Sequence, residues 1–583
     1  MVRGYPATED SMTSRNPLTH GKKQRALALL KASRFDEARP MLEKICATDR
    51  RDAEAWYLLG TLHEQTGTPG EAERCYRCAA ELEPARAELH FALGNVQQAA
   101  GHTEQATKSY RRALAIRPDF LEAQGNLGAA LESQGQLEEA VRCYEQACRL
   151  DPTRAELHFN RGNPLRKLGR HDEAVHCYRA ALKLRADFPE ALDNLGIALI
   201  ALAAHRRDAG HAAPEVLELF QEAVEVFHGA LRLRPDCADT YNNLAIGLRH
   251  LGRIEEAAKS YRRALVIDPQ HTDAHEGLAT IELLRDRFAE AWEHYRYRVS
   301  MRSNKTPGST TKLPDDLAGQ RLLAMHDQGL GDELFFLRFA PQFKRRGAYL
   351  MYSSSPKIAS LLARVTAIDE LLGQDDPAQN ADSVFSIGDL PWLLGMHSAA
   401  GIPPALPLSP LPERMEVMRD RLAMLGKPPY IGVTWRAGDR SKAHVLYKEC
   451  PLPRLAEALR PIPATILALQ RHPAPGEIET FRAALGREVH DLSALNDDLE
   501  SMLALLALLD DYVGVSNTNM HLRAGVNRTA KVLVPAPPEW RWMAEGKESP
   551  WFPGFTVYRQ GYDGDWSKAF DDLQNDTVNS LRK

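Results

Sequence analysis

The chain has 583 residues, which is too long for one hydrophobic core and indicates at least two domains. Its 73 basic and 78 acidic side chains give a formal net charge of -5, so a nucleic-acid partner, which would favour a basic excess, is not expected. No apolar stretch approaches the roughly 18 residues of a membrane span, and the polar N-terminus lacks the apolar core of a secretory signal. These features predict a cytoplasmic protein in which residues 1–18 are disordered.

An internal repeat occupies residues 19–298. Tyr76, Tyr110, Tyr144 and Tyr178 stand 34 positions apart, and rows of alanine and proline keep the same step. This period predicts stacked helix pairs that form an α-solenoid, and it resembles the tetratricopeptide repeat. The marks of that repeat in its first clear unit are Trp56, Leu59, Gly60, Ala72, Tyr76, Ala79 and Pro84.

Two units depart from the pattern. The unit that begins at Pro189 carries an insertion between its helices, which is expected to protrude from one face of the stack. The last unit lacks the proline that ends the second helix, so this helix is expected to run on into a polar linker at 299–317.

An asparagine row lies at the sixth position of the first helices. Such amides offer paired donors and acceptors that can hold an extended peptide backbone, so the row is a candidate site for a protein or peptide partner. It resembles the asparagine ladder of the eukaryotic protein O-GlcNAc transferase superhelix, although asparagine is also common here in ordinary tetratricopeptide repeats, and both interpretations stay open. The row consists of Asn126, Asn160, Asn194 and Asn243.

Other recurring polar residues favour structural roles. Position 2 is acidic in every clear unit, which indicates a solvated face or a preference for a basic partner. His90, His158 and His275 share a position with Trp56, so we expect them to pack. Cys75-x-x-Cys78 has no second pair at zinc-finger spacing, and no metal site is predicted.

The second half reads as α/β. The strand Arg321–His326 leads into the turn Gln328-Gly-Leu-Gly-Asp332 and then into a helix. A glycine turn at a helix N-terminus suits an anionic group, although Gly-x-Gly alone is a weak signal. A second α/β unit opens with the strand Tyr430–Trp435, so a ligand cleft is expected between two such units.

The order of several short motifs in this half resembles bacterial tetratricopeptide proteins with a heptosyltransferase-like glycosyltransferase domain of the GT-B type. These motifs are Gly329-Leu-Gly-Asp332, Trp435-x-x-Gly438, Leu469-Gln470, Leu509-Asp510, the turn before His521, Trp540-Arg-Trp542 and Ser549-Pro-Trp551. The resemblance implies two Rossmann-like lobes, at 318–405 and 428–583 with a C-terminal helix, joined by a hinge at 406–427. It also implies sugar transfer from a nucleotide-sugar co-substrate to a hydroxyl, with no metal and no other cofactor.

The resemblance assigns residues to this reaction. Asp332 is the candidate general base, or alternatively positions the acceptor, and Lys448 would stabilise the departing diphosphate. Ser516-Asn517 stands where relatives carry Asp-Thr, which puts the donor preference or the activity in doubt. The implied donor-binding residues are Gly329, Gly331, Thr434, Arg436, Ser441, Lys442, Glu500, Ser516, Asn517 and His521.

Three functions follow from the sequence. The first is a glycosyltransferase whose solenoid binds a protein partner or acceptor. The second is a non-catalytic scaffold with a degenerate transferase domain. The third is a protein O-glycosyltransferase that feeds polypeptide along the asparagine row.

Overall fold

The computed structural model describes residues 17–208, 213–298, 313, 315–373, 380–438 and 448–581. By its internal contacts the chain forms two compact units, residues 1–205 and 206–583. The predicted disordered segment 1–18 and linker 299–317 lie largely outside the described residues.

The first unit consists of paired helices, one pair per repeat. Glycines in the left-handed backbone region, such as Gly101 (φ 79°) and Gly135 (φ 74°), form the turns inside the pairs. The helices are α1 Pro17–Lys31, α2 Phe35–Thr48, α3 Ala53–Gln65, α4 Pro69–Leu82, α5 Ala87–Ala99, α6 Thr103–Ile116, α7 Leu121–Ser133, α8 Leu137–Leu150, α9 Ala155–Lys167, α10 His171–Leu184 and α11 Pro189–Asp208.

The glycine and tyrosine rows of the repeat explain each other. A Cβ on Gly94 would lie 2.6 Å from the ring of Tyr110, and one on Gly162 would lie 2.6 Å from the ring of Tyr178. The absent side chain on the first helix therefore makes room for the buried tyrosine on the second.

The repeat pattern continues in the second unit, with one difference from expectation. The last helix does not run on into the linker but ends at Tyr295. The insertion lengthens helices α11 and α12 to 20 and 21 residues, where most repeat helices have 13 or 14. These helices are α12 Ala213–Leu233, α13 Ala238–His250, α14 Ile254–Ile267, α15 Thr272–Leu284 and α16 Phe288–Tyr295.

Two parallel sheets follow, as the α/β prediction requires. The first sheet has the strand order β3-β2-β1-β4, and the second has the order β12-β11-β10-β5-β8-β9. The short antiparallel ribbon β6-β7 stands apart from both. The strands are β1 Arg321–Met325, β2 Tyr349–Ser353, β3 Glu370–Leu372, β4 Ser383–Ser386, β5 Tyr430–Thr434, β6 Arg436–Ala437, β7 Lys448–Glu449, β8 Thr465–Ala468, β9 Val489–Asp491, β10 Asp511–Val515, β11 Lys531–Val534 and β12 Thr556–Arg559.

Short helices connect the strands, and the segment predicted as a hinge contains one of them, α21. The helices are α17 Leu330–Phe336, α18 Ala340–Arg345, α19 Ala359–Leu362, α20 Leu390–Leu393, α21 Pro412–Leu425, α22 Leu452–Leu459, α23 Glu477–Leu485, α24 Leu499–Leu508, α25 Thr518–Gly525 and α26 Ser567–Leu581.

One hydrophobic core joins the last repeat to both sheets. Trp292 of α16 packs edge to face against Trp540 and Trp551, with ring centroids 5.8 and 6.0 Å apart. Phe288 and Tyr295 are buried in the same cluster. Because α16 contributes its apolar face to this core, the last repeat belongs structurally to the α/β region.

Candidate functional site

The glycine turn after β1 brings the two sheets together. Gly329 precedes α17, and a Cβ on Gly331 would lie 3.2 Å from Cδ2 and 3.4 Å from Nε2 of His521 in α25. A side chain at Gly331 would thus press on the imidazole. The glycine allows the start of α17 to approach the start of α25 closely.

Residues at the end of the last repeat hold this turn. The Gln328 amide donates a hydrogen bond to the hydroxyl of Tyr295 (3.1 Å). Arg298, which is 3% exposed, donates to Asp327 after β1 and to Asp389 beyond β4 (2.6 Å). These contacts were not predictable, because nothing in the repeat pattern pairs Arg298 with carboxylates so far along the chain.

The two predicted catalytic residues belong to one network of charges. Arg541 donates to Oδ1 of Asp332 and, at 2.5 Å, to Oε1 of Glu539. Oε2 of Glu539 lies 2.6 Å from Nζ of Lys448, which also donates to the carbonyl oxygen of Ser516 at 3.4 Å. The network crosses from the first sheet region to the second.

Only one of the two carboxylate oxygens of Asp332 is bonded to Arg541. Its side chain is 26% exposed, whereas that of Arg541 is 9% exposed. Oδ2 of Asp332 accepts no hydrogen bond from any residue that the structure describes. Arg541 therefore orients the carboxylate and leaves one of its oxygens unengaged.

Burial and charge set the protonation states around the network. Burial would raise the pKa of Glu539, but Lys448 and Arg541 outweigh it and hold this pKa well below the usual value. Burial, reinforced by Arg541 and Arg338, lowers the pKa of His521 well below its usual value. At neutral pH, Glu539 is accordingly ionised and the His521 ring is uncharged.

The predicted donor residues at the ends of β5 and β10 bond to one another. The amide of Asn517 donates to the hydroxyl of Thr434 at 2.8 Å. The side-chain oxygen of Asn517 accepts from the backbone N–H of Asn519, so Asn517 caps the N-terminus of α25. The hydroxyl of Tyr512 lies 3.0 Å from that of Thr434. Buried Thr434 and half-buried Asn517 thus support the end of the sheet.

Arg436 and Lys448 are not brought together. The ribbon pairs Arg436 with Glu449 and Ala437 with Lys448, so the two cations lie on opposite faces of it. Arg436 donates to Oε1 of Glu477 at 2.8 Å and to the carbonyl oxygen of His472 at 3.0 Å. The expectation that both cations face one diphosphate does not match this geometry.

The remaining donor residues differ in their surroundings. Glu500 accepts two hydrogen bonds from Arg364, at 2.8 and 2.7 Å, and so links the two sheet regions. Ser516 is buried and contributes its carbonyl oxygen to Lys448. Ser441 and Lys442 lie outside the described residues.

Another buried arginine, Arg338, lies near His521 and was not predicted. It donates to the carbonyl oxygen of Trp551 at 2.7 Å, and its guanidinium lies 4.4 Å from the ring centroid of Phe335. Burial and the charge of Arg541 lower its pKa to about 9. The aromatic motifs Trp540-Arg-Trp542 and Ser549-Pro-Trp551 were the available signal, since buried arginines often stack on such rings.

The asparagine row is partly self-bonded. Asn126 donates to Asn95 at 2.8 Å and Asn194 donates to Asn163 at 2.9 Å, each in the preceding repeat. The repeat before Asn160 has Ala129 where two other repeats have Asn95 and Asn163, so it offers no amide acceptor. The amide of Asn160 has no hydrogen-bond partner among the described residues. In the second unit, Asn243 accepts a long 3.4 Å bond from its neighbour Asn242.

The other repeat rows have structural roles. His90 and His158 bond through Nε2 to the carbonyl oxygens of Pro84 and Pro152, at 3.0 and 3.1 Å. His275 does the same at 3.0 Å. Several position-2 carboxylates are ion-paired within their repeats, as Glu88 is with Arg117 at 2.8 Å.

The searched part of the chain contains no disulfide and no cluster of histidine, cysteine or carboxylate groups that would hold a metal. None of the described helices combines the length and the apolar character needed to cross a bilayer.

Comparison with known proteins identifies the repeats. Family models described as tetratricopeptide or TPR repeats match residues 23–87, 87–120, 132–165, 162–202 and 216–272. The repeats are tetratricopeptide repeats. Such arrays serve protein–protein interaction through extended surfaces.

Protein FlbA of Caulobacter vibrioides is 28% identical over 316 residues, which cover 49% of this chain and 52% of FlbA. The chain thus spans about half the length of this curated relative. Among solved structures, MamA is 23% identical with a TM-score of 0.27 and covers 28% of this chain and 94% of its own. YrrB, described as a TPR protein with an unusual peptide-binding site, is 22% identical with a TM-score of 0.30 and covers 34% and 95%. The C-terminal part of a TPR protein from Cytophaga hutchinsonii is 16% identical with a TM-score of 0.36 and covers 44% and 99%.

Proposed function

We propose that this protein is a glycosyltransferase of the GT-B type, in which tetratricopeptide repeats bind a protein partner or the acceptor. The observation that carries the proposal is the network that links Asp332, Arg541, Glu539 and Lys448 across the two sheet regions. The network contains a carboxylate oxygen, Oδ2 of Asp332, that can accept the proton of an acceptor hydroxyl. It also contains a cation, Lys448, that can stabilise a leaving group, and Arg541 and Glu539 lie between the two.

Asp332 and Lys448 have different roles in the proposed reaction. Oδ2 of Asp332 accepts the hydroxyl proton of the acceptor as the acceptor oxygen bonds to C1 of the sugar. The bond from C1 to the diphosphate oxygen breaks, and Lys448 stabilises the negative charge that appears on the nucleoside diphosphate. Lys448 reaches that anion by exchanging part of its contact with Glu539.

Binding and turnover of nucleotide sugars by the full chain test this proposal. A panel of nucleoside diphosphates and nucleotide sugars should contain a ligand that raises the unfolding temperature, since a ligand stabilises the fold by RT ln(1 + [L]/Kd). Asp332→Asn keeps an oxygen for Arg541, so it should leave donor binding intact and slow transfer by about 10²- to 10⁴-fold. Lys448→Gln should instead weaken nucleotide binding.

Lys568→Gln is the matched control for Lys448→Gln. It removes an 85% exposed lysine paired with Asp572, and should leave binding unchanged. The enzyme proposal fails if no nucleotide or nucleotide sugar binds, or if Asp332→Asn retains full transfer.

A scaffold without catalysis is the second candidate, and one observation favours it. The side chains of Thr434, Arg436 and Asn517 already bond to neighbouring residues. On this alternative no nucleotide binds, and Asp332→Asn leaves every effect of the protein in the cell intact.

Transfer to polypeptide along the asparagine row is the third candidate, favoured by the unpartnered amide of Asn160. Asn160→Ala should then impair polypeptide acceptors and spare small hydroxyl acceptors. Asn126→Ala is the control, because that amide is already bonded to Asn95. Equal effects of the two substitutions would contradict this route.

A further inference from the structure

An open groove lies in the repeat part of the second unit, and its lining includes no residue of the asparagine row and no strand residue. It runs between the second helices of two consecutive repeats, α12 and α14, and above α13, and its volume is about 790 Å³. Leu231, Tyr241 and Leu244 supply its apolar lining. A space of this size accommodates several side chains of a peptide.

The polar lining of the groove is mainly cationic. Arg232 projects from α12, whereas Lys259 and Arg263 project from α14, and Glu225 is the carboxylate that lines the same space. Burial, Arg253 and Arg232 lower the pKa of His228, so its ring adds no charge at neutral pH. Three permanent cations therefore face one carboxylate.

Two of these three cations form no ion pair within the part of the chain that the structure describes. Arg263 lies 3.4 Å from Asp236, but neither Arg232 nor Lys259 forms an ion pair with any carboxylate that the structure describes. Elsewhere in the repeats, Arg77 pairs with Glu73 at 2.5 Å and Arg149 pairs with Glu145 at 2.9 Å.

Lone cations also occur at the repeat position of Lys259 in earlier units, as Lys108 and Arg142. The groove differs from those positions because cations of both α12 and α14 lie beside an apolar lining. This combination suits a ligand that carries both negative charges and an apolar group.

We propose that this groove, which we call the basic groove, binds an acidic peptide segment of a partner protein, with an aromatic or leucine side chain flanked by carboxylates. The apolar side chain would contact Tyr241 and Leu244, and the carboxylates would pair with Arg232 and Lys259. Because the whole chain carries a net charge of -5, its surface as a whole does not attract such a segment, and the local cations supply the selectivity.

Fluorescence polarisation with the full chain and short labelled peptides tests this proposal. The probe has a central tyrosine between two glutamate pairs; a second peptide replaces the tyrosine by glycine, and a third replaces the glutamates by lysines. The first peptide should bind most tightly, and its affinity should fall as salt rises. Arg232→Gln combined with Lys259→Gln should weaken it at least tenfold.

The matched control combines Lys108→Gln with Arg142→Gln, which makes the same change of charge in two earlier repeats. It should leave the affinity unchanged. Circular dichroism of both double variants shows whether the helices are intact, and Tyr241→Ser, which leaves the cations in place, tests the groove a second time. It should weaken the tyrosine peptide and spare the glycine peptide.

Three results would overturn the proposal. The first is no binding of the acidic probe at millimolar concentration. The second is equal loss of affinity in the groove variant and in its control. The third is equally tight binding of inorganic polyphosphate or an oligonucleotide, which would indicate attraction of any polyanion.

Discussion

Glu539→Gln is the sharpest test of the charge network. Glu539 lies between Lys448 and Arg541, and its side chain is 9% exposed. Glutamine keeps the shape and removes the negative charge, so the four-residue network changes from neutral to a charge of +1. Removal of one partner from a buried ion pair costs about 3–5 kcal/mol in free energy of unfolding.

The same substitution has a defined pH dependence. The pKa of Glu539 is held well below its unfolded value, so the stability it contributes is fully present above the unfolded pKa of about 4.3. That stability is lost as the pH falls towards the folded pKa. The difference between the wild type and Glu539→Gln should therefore be constant from about pH 6 to 8 and shrink below about pH 4.

Urea unfolding followed by tryptophan fluorescence measures this difference. Of the eight tryptophans, all but Trp56 lie in the second unit, so the signal reports the unit that contains Glu539. Glu256→Gln is the control, because Glu256 is 52% exposed in its pair with Arg253 and should cost less than about 1 kcal/mol. A cost below about 1 kcal/mol for Glu539→Gln at pH 7, or one that does not start to decrease as the pH falls below about 4, would refute the reasoning.

Three further predictions concern how the site is supported. Arg298→Met removes the buried cation that pairs with Asp327 and Asp389 and should cost about 3–5 kcal/mol in urea unfolding; the loss should diminish when Asp389→Asn is added, and no rescue would contradict the pairing. Gly331→Ala presses a methyl group on His521 and should cost about 1–3 kcal/mol by the same assay, whereas a neutral result would mean that the close approach is wrong. A fragment of residues 300–583 lacks the aromatic side chains of α16 and should bind a hydrophobic dye and aggregate, unlike a fragment that retains the last repeats; a soluble, dye-free fragment would show that the core does not need them.

The repeat half was predictable because its interactions are local and recur. In four of the repeats a glycine of the first helix meets a tyrosine of the second helix of the same repeat, as Gly94 meets Tyr110, so one period of sequence contains both partners. The insertion after Pro189 shows the limit of this reasoning. The sequence showed that residues are inserted there. It did not show that they extend α11 and α12, since no repeat rule applies to those residues.

The strands of the α/β half were also predicted from local pattern. The predicted strand Tyr430–Trp435 is observed as Tyr430–Thr434, and the predicted strand Arg321–His326 is observed as Arg321–Met325. The contact between Gly331 and His521 joins two motifs that lie far apart in the sequence. The partners of the charged residues were not predictable in this way, because each partner lies in another part of the chain.

The sequence by itself determined the helix pairs, the order of the strands along the chain and the glycine turn, since these depend on periodicity and on residues close in the chain. Only the tertiary structure decided that Arg541 joins Asp332 to Glu539 and Lys448, that Arg436 turns to Glu477 instead, and that the last repeat supports the turn. The physical reason is that a charged side chain leaves water only for a specific partner, and the fold alone decides which distant carboxylate is within reach.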